Sequence, residues 1–316
     1  MKKEKILILG ADGFLGSNLA KSMLKDGKYE IRAFDLFTDG VSRNLTGLEK
    51  KLEIFPGNFL NRVDIEKALK GVDYVFHYVS LTTPGSSMKD PLIDVETNIR
   101  GTIVLLEECV NAKIKKIIFS SSGGAIYGNQ EKKKLSENDL QNPISPYAIS
   151  KLAIEKYLEY FRLNHGLDYL ILRYSNPYGP GQNVVGSQGI IPIFLNLIQR
   201  GKPITIFGDG KNIRDYIYID DLINITKLIS SKKTKYNLYN IGSGKGESIN
   251  EIISAMKKVT KKKIAIKREP ARPVDVRRAV LDTKRVSQEI NYARKTLLLA
   301  GIRITWEWLE ASAKNE

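Results

Sequence analysis

The first half of the chain alternates short apolar runs with stretches whose apolar residues recur at helical spacing. Runs at 5–10, 30–35, 52–56, 74–78, 116–121 and 169–174 read as strands. Between them, 14–25 carries apolar residues at 15, 19 and 23, and 64–69 is a short helix closed by Gly71. A long helix is predicted over 92–111, and another over 146–164, ending before Gly166 as a C-cap glycine would. Strands and helices interleaved in this way predict βαβ units, and so an α/β, doubly wound parallel sheet.

Beyond Tyr174 the texture changes. The stretch NPYGPGQ at 176–182 is rich in turn formers and 186–189 reads as a loop. Helices predicted at 190–200, 221–230 and 248–259 are separated by short strand-like pieces such as Ile204–Phe207. The expected division is a sheet domain over 1–175 and a smaller, irregular part over 176–316, some of whose segments return to the sheet.

Composition narrows the class. The 316 residues are 42% hydrophobic and 27% charged, enough for a sizeable core and unlike collagenous or disordered chains. No apolar run approaches the ~20 residues that cross a bilayer, so no membrane partner is expected. Residues 1–20 lack the apolar segment of a secretion signal, and the single Cys109 cannot form an internal disulfide. Both point to a cytoplasmic location. Lys+Arg 50 against Asp+Glu 35 leaves a net charge of +15. That balance suits nucleic acid, a lysine-rich soluble surface, or a field that draws in a small polyanionic substrate. The basic residues are spread out, with short clusters at 132–134 and 257–272 and no zinc-finger spacing or aromatic-flanked groove. Nucleic acid is therefore not an expected partner. No His, Cys, Asp or Glu cluster has metal-ligand spacing, so no metal is expected either.

Two local patterns carry chemistry. KILILGADGFLG at 5–16 puts Gly10, Gly13 and Gly16 between a predicted strand and a predicted helix. Such spacing allows the sharp turn, the approach of backbone to a pyrophosphate, and close helix–strand packing. Asp35, about 20 residues on, ends the next strand, where a carboxylate accepts hydrogen bonds from ribose hydroxyls and repels a 2′-phosphate. Leu36 and Phe37 are not basic, which favours NAD over NADP. The plain alternative is a glycine-rich turn. The second pattern is YAISK at 147–151. On a helix, positions i and i+4 share a face, so the Tyr147 phenol and the Lys151 ammonium meet the same space. A neighbouring cation and an oxidised nicotinamide would favour the phenolate, a general base for a substrate hydroxyl. Elsewhere in a protein such a pair is an ordinary surface contact.

Several motifs in one order then resemble the extended short-chain dehydrogenase/reductase family, in particular its nucleotide-sugar epimerases. They are GADGFLG at 10–16, VFHYVS at 75–80, NIRGT at 98–102, FSSSGGAIYG at 119–128, YAISK at 147–151 and LRYSNPYGPGQ at 172–182. The resemblance implies a Rossmann-like fold. Phe14 and Leu15 would meet the pyrophosphate through backbone amides, and Asn58 and Phe59 would flank the adenine. Tyr78, Val79, Ser80 and Thr82 would lie beside the nicotinamide half, Asn98 and Lys151 on its ribose, and Ser175 near the ring. For a UDP-sugar, the resemblance implies Asn176 on the phosphate side, Gly189 and Ile190 under the uracil, and Thr205, Ile206 and Phe207 closing that pocket. Arg214 and Arg272 would grip the diphosphate, Asp275 the uridine ribose, and Ala279 would bound the sugar. Guanidiniums offer forked donors to a diphosphate, although an ion pair with Asp215 is the bland reading of Arg214.

The pattern also departs from the family. Its third catalytic group is a Ser or Thr four residues before the Tyr of the YG pair, where this chain has Gly123. Either Ser122 takes that task or a backbone amide and water do; Ser122 is the expectation. Gly124 and Ala125 stand where 4,6-dehydratases carry an acidic pair, and Val274 replaces a usual Gly. Small Ala279 leaves room for an N-acetyl group. The implied reaction is inversion at C4 of a UDP-hexose through a transient 4-keto sugar with tightly held NAD. The rivals are a 4-ketosugar reductase and a non-catalytic dinucleotide sensor. A homodimer is implied too, through the helix at 92–111 and the helix bearing Tyr147. His77, ending a buried strand, reads as structural.

Overall fold

A computed structural model describes residues 3–37, 42–186, 189–271, 276–292 and 295–313. The chain runs through β1 (Glu4–Leu9), α1 (Phe14–Asp26), β2 (Tyr29–Asp35), β3 (Glu53–Pro56), α2 (Arg62–Leu69) and β4 (Tyr74–His77). Next come α3 (Pro84–Ser87), α4 (Pro91–Asp94), a π-helical turn (Val95–Arg100), α5 (Gly101–Asn111), β5 (Lys116–Ser122), α6 (Pro146–His165) and β6 (Tyr169–Tyr174). Then follow β7 (Asn176–Tyr178), α7 (Ile190–Gln199), β8 (Ile204–Phe207), β9 (Ile213–Tyr218), α8 (Ile219–Ser230) and β10 (Leu238–Ile241). The last are β11 (Gly246–Ser248), α9 (Ile249–Thr260), β12 (Ile266–Glu269), β13 (Arg278–Ala279), α10 (Lys284–Ile290) and α11 (Leu298–Ala313).

Seven strands form the main sheet in the order β10-β6-β5-β4-β1-β2-β3. Parallel pairing joins β1 to both β2 and β4, β2 to β3, and β4 to β5. The order reverses at β1, the place where a doubly wound sheet opens a crevice at its strand ends. All six strands expected from the sequence are in this sheet, with ends shifted by a residue or less, and β10 joins from the second half of the chain. Buried on both faces, the strands read as near-continuous apolar runs: Leu7, Ile8 and Leu9 are fully buried.

One expectation needs correcting. The predicted helix over 92–111 is interrupted by the π-helical turn at Val95–Arg100. Asp90 caps its start by accepting from the Leu92 and Ile93 amides, with Pro91 in the first turn. Further along, the Thr97 hydroxyl donates to the Ile93 carbonyl at 2.6 Å and competes with the backbone ladder. The helix α6 matches its prediction: Ser145 caps it by accepting from the Ala148 amide, and Gly166 ends it at φ 70°.

The chain forms two compact units, each discontinuous in sequence. One comprises Met1–Ser122, Ser145–Arg173 and Thr226–Leu238; the other comprises Gly123–Ile144, Tyr174–Ile225 and Tyr239–Glu316. The core of the first packs Leu9, Phe34, Val75, Leu106, Phe119 and Leu158, among others. In the second, β9 pairs with β7 and β13 in parallel and with β11 antiparallel, and β8 pairs with β12 in parallel.

Candidate active site

In the first unit, the loop after β1 has no room for side chains at its glycines. Gly10 has φ +79°, and a Cβ there would sit 3.2 Å from the backbone of Tyr78 and Val79. A Cβ on Gly16 would lie 2.2 Å from the Gly10 carbonyl oxygen, and one on Gly13 would lie 3.2 Å from the same oxygen. Gly13 starts α1, whose N-terminus has no side-chain cap and no acidic residue in its first turn. Its free amides and dipole therefore favour an external anion. Asp35 ends β2 and accepts from the amides of Asp12 and Leu36, both at 2.9 Å. Burial raises its pKa, against the pull of those two amides. Phe14 and Leu15 open α1, half-buried. Asn58 is exposed, while the Phe59 ring is buried against His77 with ring centroids 5.2 Å apart. After β4, Tyr78, Val79 and Ser80 are half-buried, and the Ser80 hydroxyl donates to the Thr82 carbonyl.

Tyr147 and Lys151 lie on the first turns of α6 against the end of β5. The Lys151 ammonium donates to the Ser120 carbonyl at 2.9 Å and lies 4.7 Å from the Phe119 ring centroid and 5.7 Å from that of Tyr147. Burial pushes the Tyr147 phenol up to about 12; the hydrogen-bonded Ser122 side chain pulls it down and the Asp94 charge pushes it up. Burial draws Lys151 down to about 8, against Asp94 and Glu155. At the phenol itself burial is the largest influence, and Ser122 supplies the contact that lowers it. Glu155, one turn beyond Lys151, accepts from Arg173 at 2.9 and 2.6 Å and from Ser121 at 2.6 Å. Burial takes His77 down to about 3, leaving a neutral ring whose Nε2 lies 2.9 Å from the Thr102 hydroxyl.

Sequence reasoning missed Asp94. Its buried carboxylate accepts from the Thr82 and Ser150 hydroxyls and from Asn98 Nδ2. Asn98 also donates to Thr82 Oγ1 at 2.7 Å and accepts from the Leu81 amide. The available signal was the i, i+4 spacing of Asp94 and Asn98, which puts the two on one helix face.

In the second unit, the Gly123 amide donates to the Tyr174 carbonyl at 2.8 Å, so it is not free to replace a missing hydroxyl. Ser175 donates its amide to Ile241, and its buried hydroxyl has no hydrogen-bond partner among the described residues. Asn176 Nδ2 donates to the Asp215 carbonyl at 3.1 Å. Gly189, at φ +85°, starts α7 with Ile190, and a Cβ there would meet Gln182 at 2.3 Å. Thr205, Ile206 and Phe207 lie on β8, alternating half-buried, buried and half-buried. Arg214 lies on β9 between Glu247 of β11 and Ala279 of β13. The Asp215 carboxylate is engaged away from Arg214: it is fully buried and accepts from the amides of Ser243, Gly244 and Leu281 and the Ser243 hydroxyl. Neighbours on a strand face opposite sides. Ala279 is buried in a cluster with Tyr127, Leu135, Val276 and Leu281. Arg272 and Asp275 lie outside the described residues.

Residues 6–242 match the family described as NAD dependent epimerase/dehydratase. The chain belongs to that family. A putative UDP-glucose 4-epimerase from Methanocaldococcus jannaschii is 32% identical over 307 residues, 96% of this chain and 98% of the relative. A UDP-glucose 4-epimerase from Thermotoga maritima, solved with UDP-glucose, superposes with TM-score 0.91 at 34% identity, covering 98% of this chain and 99% of that one. A UDP-N-acetylglucosamine 4-epimerase from Methanobrevibacter ruminantium M1, solved with UDP-N-acetylmuramic acid, gives TM-score 0.90 at 31% identity over 99% of this chain and 100% of the other. The cofactor in the family's description is NAD, and this member's glycine loop fits it. The turn that three Cβ atoms would fill, the uncapped α1 and the Asp35 carboxylate match pyrophosphate and ribose.

Proposed function

We propose that the protein is an NAD-dependent epimerase that inverts C4 of a UDP-hexose, UDP-glucose/UDP-galactose or an N-acetylated analogue, through a 4-keto sugar. The observation that carries this is the half-buried Tyr147 phenol, hydrogen-bonded to Ser122 and one helical turn from the buried Lys151 ammonium. Gly10, Gly13, Phe14, Leu15 and Gly16 are assigned to the pyrophosphate, Asp35 to the adenosine ribose, and Asn58 and Phe59 to the adenine side. Tyr78, Val79, Ser80, Thr82, Asn98 and Ser175 are assigned to the nicotinamide half. The nucleotide end of the substrate goes to Asn176, Gly189, Ile190, Thr205–Phe207, Arg214, Arg272 and Asp275, with Ala279 bounding the sugar.

Bound NAD supplies a hydride acceptor and donor and, when oxidised, a positive charge. Tyr147 Oη takes the C4 hydroxyl proton as hydride leaves the same carbon, and returns it when hydride is delivered to the opposite face. Ser122 steadies the phenolate and the sugar oxygen by hydrogen bonding. Lys151, held by Ser120, keeps a positive charge near the phenol. A firm hold on the diphosphate by two guanidiniums, with a loose hold on the hexose, lets the ketosugar turn over between the two hydride steps. Residues 1–175 are assigned to the dinucleotide and residues 176–316 mainly to the UDP-sugar.

The protein is further proposed to act as a cytoplasmic homodimer. Among the described residues no helix is long and apolar enough to cross a membrane. Exposed Leu92, Ile93, Ile149, Tyr160 and Leu163 leave apolar side chains on the outer faces of α4 and α6.

The test starts from purified protein, denatured to look for released NAD, and native protein offered UDP-glucose or UDP-N-acetylglucosamine without added cofactor. Interconversion with no net NADH is expected, and Tyr147→Phe should abolish turnover while retaining NAD. Absolute dependence on added NADPH would sink this assignment in favour of a reductase.

A further inference from the structure

We propose that Asp94 is a positioning residue for the reaction at Tyr147, tying the catalytic turn of α6 to α4 and supplying that turn's balancing negative charge. This rests on the epimerase assignment above.

Asp94 is fully buried at the junction of α4 and the π-helical turn. Its three hydrogen-bond donors, Thr82, Asn98 and Ser150, are all neutral. A buried carboxylate is costly unless its oxygens are satisfied, and three donors on three separate segments meet that need. Ser150 is the residue immediately before Lys151. The contact therefore fixes α6 where the ammonium leaves it, while the Tyr147 amide, at the start of the same helix, donates to Ser87 of α3 at 3.1 Å.

The charge matters as much as the tether. Around Lys151 and Tyr147, β4 contributes His77, which burial keeps neutral. Helix α6 contributes Glu155, whose charge is matched by Arg173 of β6 through two hydrogen bonds. β5 contributes no charged side chain here, only the Phe119 ring and the hydroxyls and carbonyls of Ser120, Ser121 and Ser122. Of this set, Asp94 is the carboxylate with no cation hydrogen-bonded to it. Burial strips Lys151 of proton affinity and Asp94 restores part of it. The same charge also makes the Tyr147 phenol harder to ionise. Asp94 thus holds the ammonium charged at the expense of a less acidic phenol, and its removal should lower both proton affinities together.

Asp94→Asn keeps the shape and the Ser150 contact but removes the charge. In the full-length, NAD-containing enzyme, kcat is measured across pH with UDP-glucose or UDP-N-acetylglucosamine. Both limbs of the profile are expected to move to lower pH by roughly one unit. Ser150→Ala keeps the charge and cuts the tether. It should lower kcat about tenfold by loosening the catalytic turn, with KM and both limbs unmoved. Limbs of Asp94→Asn that stay at the wild-type positions overturn the proposal, whatever the rate. Should that variant fail to fold, wild-type kcat in Ser150→Ala overturns it instead. Wild-type protein that epimerises no UDP-hexose removes the functional assignment and this proposal together, whereas active wild type with an unshifted Asp94→Asn profile removes this one alone.

Discussion

A phenol surrounded by protein holds its proton tightly, so a buried tyrosine becomes a useful base only where something stabilises its anion. At Tyr147 burial raises the pKa to about 12, and the lowering contact comes from Ser122. Removing it by Ser122→Ala should raise that pKa further. Because the base acts deprotonated, the acid limb of kcat should move to higher pH, and turnover near neutrality should fall about 10²-fold. An unshifted limb in a pH series would show that Ser122 does not act on the phenol. That direction is opposite to the one expected for Asp94→Asn, so the two variants separate the two effects. Tyr147, Lys151 and the three glycines were legible in the sequence because their relation is local: one helical turn, or one strand–turn–helix. Asp94 was not, because its Ser150 partner lies 56 positions away and only the packing of α4 on α6 brings them together. The burial that raises the Tyr147 phenol was equally invisible, since it depends on the surrounding packing.

At the scale of elements, α6 has two ends with different duties. Ser145 caps the end that carries Tyr147, two residues on. Gly166 ends the helix at φ 70°, with open space where a side-chain carbon would stand. Ser145→Ala should cost about 1 kcal/mol of stability by leaving an amide without its partner, and should also lower kcat because the frayed turn holds the phenol. Gly166→Ala should cost about 1 kcal/mol through backbone strain alone, leaving kcat unchanged. Urea unfolding paired with turnover checks both; equal losses of kcat would refute the distinction. The main strands were readable because two-sided burial makes each a run of apolar residues. In the second unit β8 was read at its observed bounds, Ile204–Phe207, but β9 was not: it is held by β7, β11 and β13, short segments whose pairing is set by distant chain. The π-helical turn within 92–111 also escaped, because a hydrophobic period cannot register one extra residue in a single turn.

For the whole molecule, net charge and exposed apolar surface pull in opposite directions on association. The surface carries a net charge of +15, which opposes close association of two copies unless apolar contact offsets it. The outer faces of α4 and α6 offer that contact: Leu92 is 75% exposed and Leu163 is 78% exposed, with Ile93, Ile149 and Tyr160 exposed to a lesser degree. Side chains this large and apolar lose free energy by facing water, each by up to about 2 kcal/mol, and a second copy of the same surface would cover them symmetrically. Light scattering on the wild type should therefore give twice the mass of a 35.6 kDa chain. Leu92→Glu combined with Leu163→Glu should bury like charges against each other and shift the mass towards the monomer. Added salt screens the general repulsion of the positive surface, so it should tighten the wild-type dimer. A wild type that runs as a monomer at every salt concentration would leave these helix faces without the partner assigned to them.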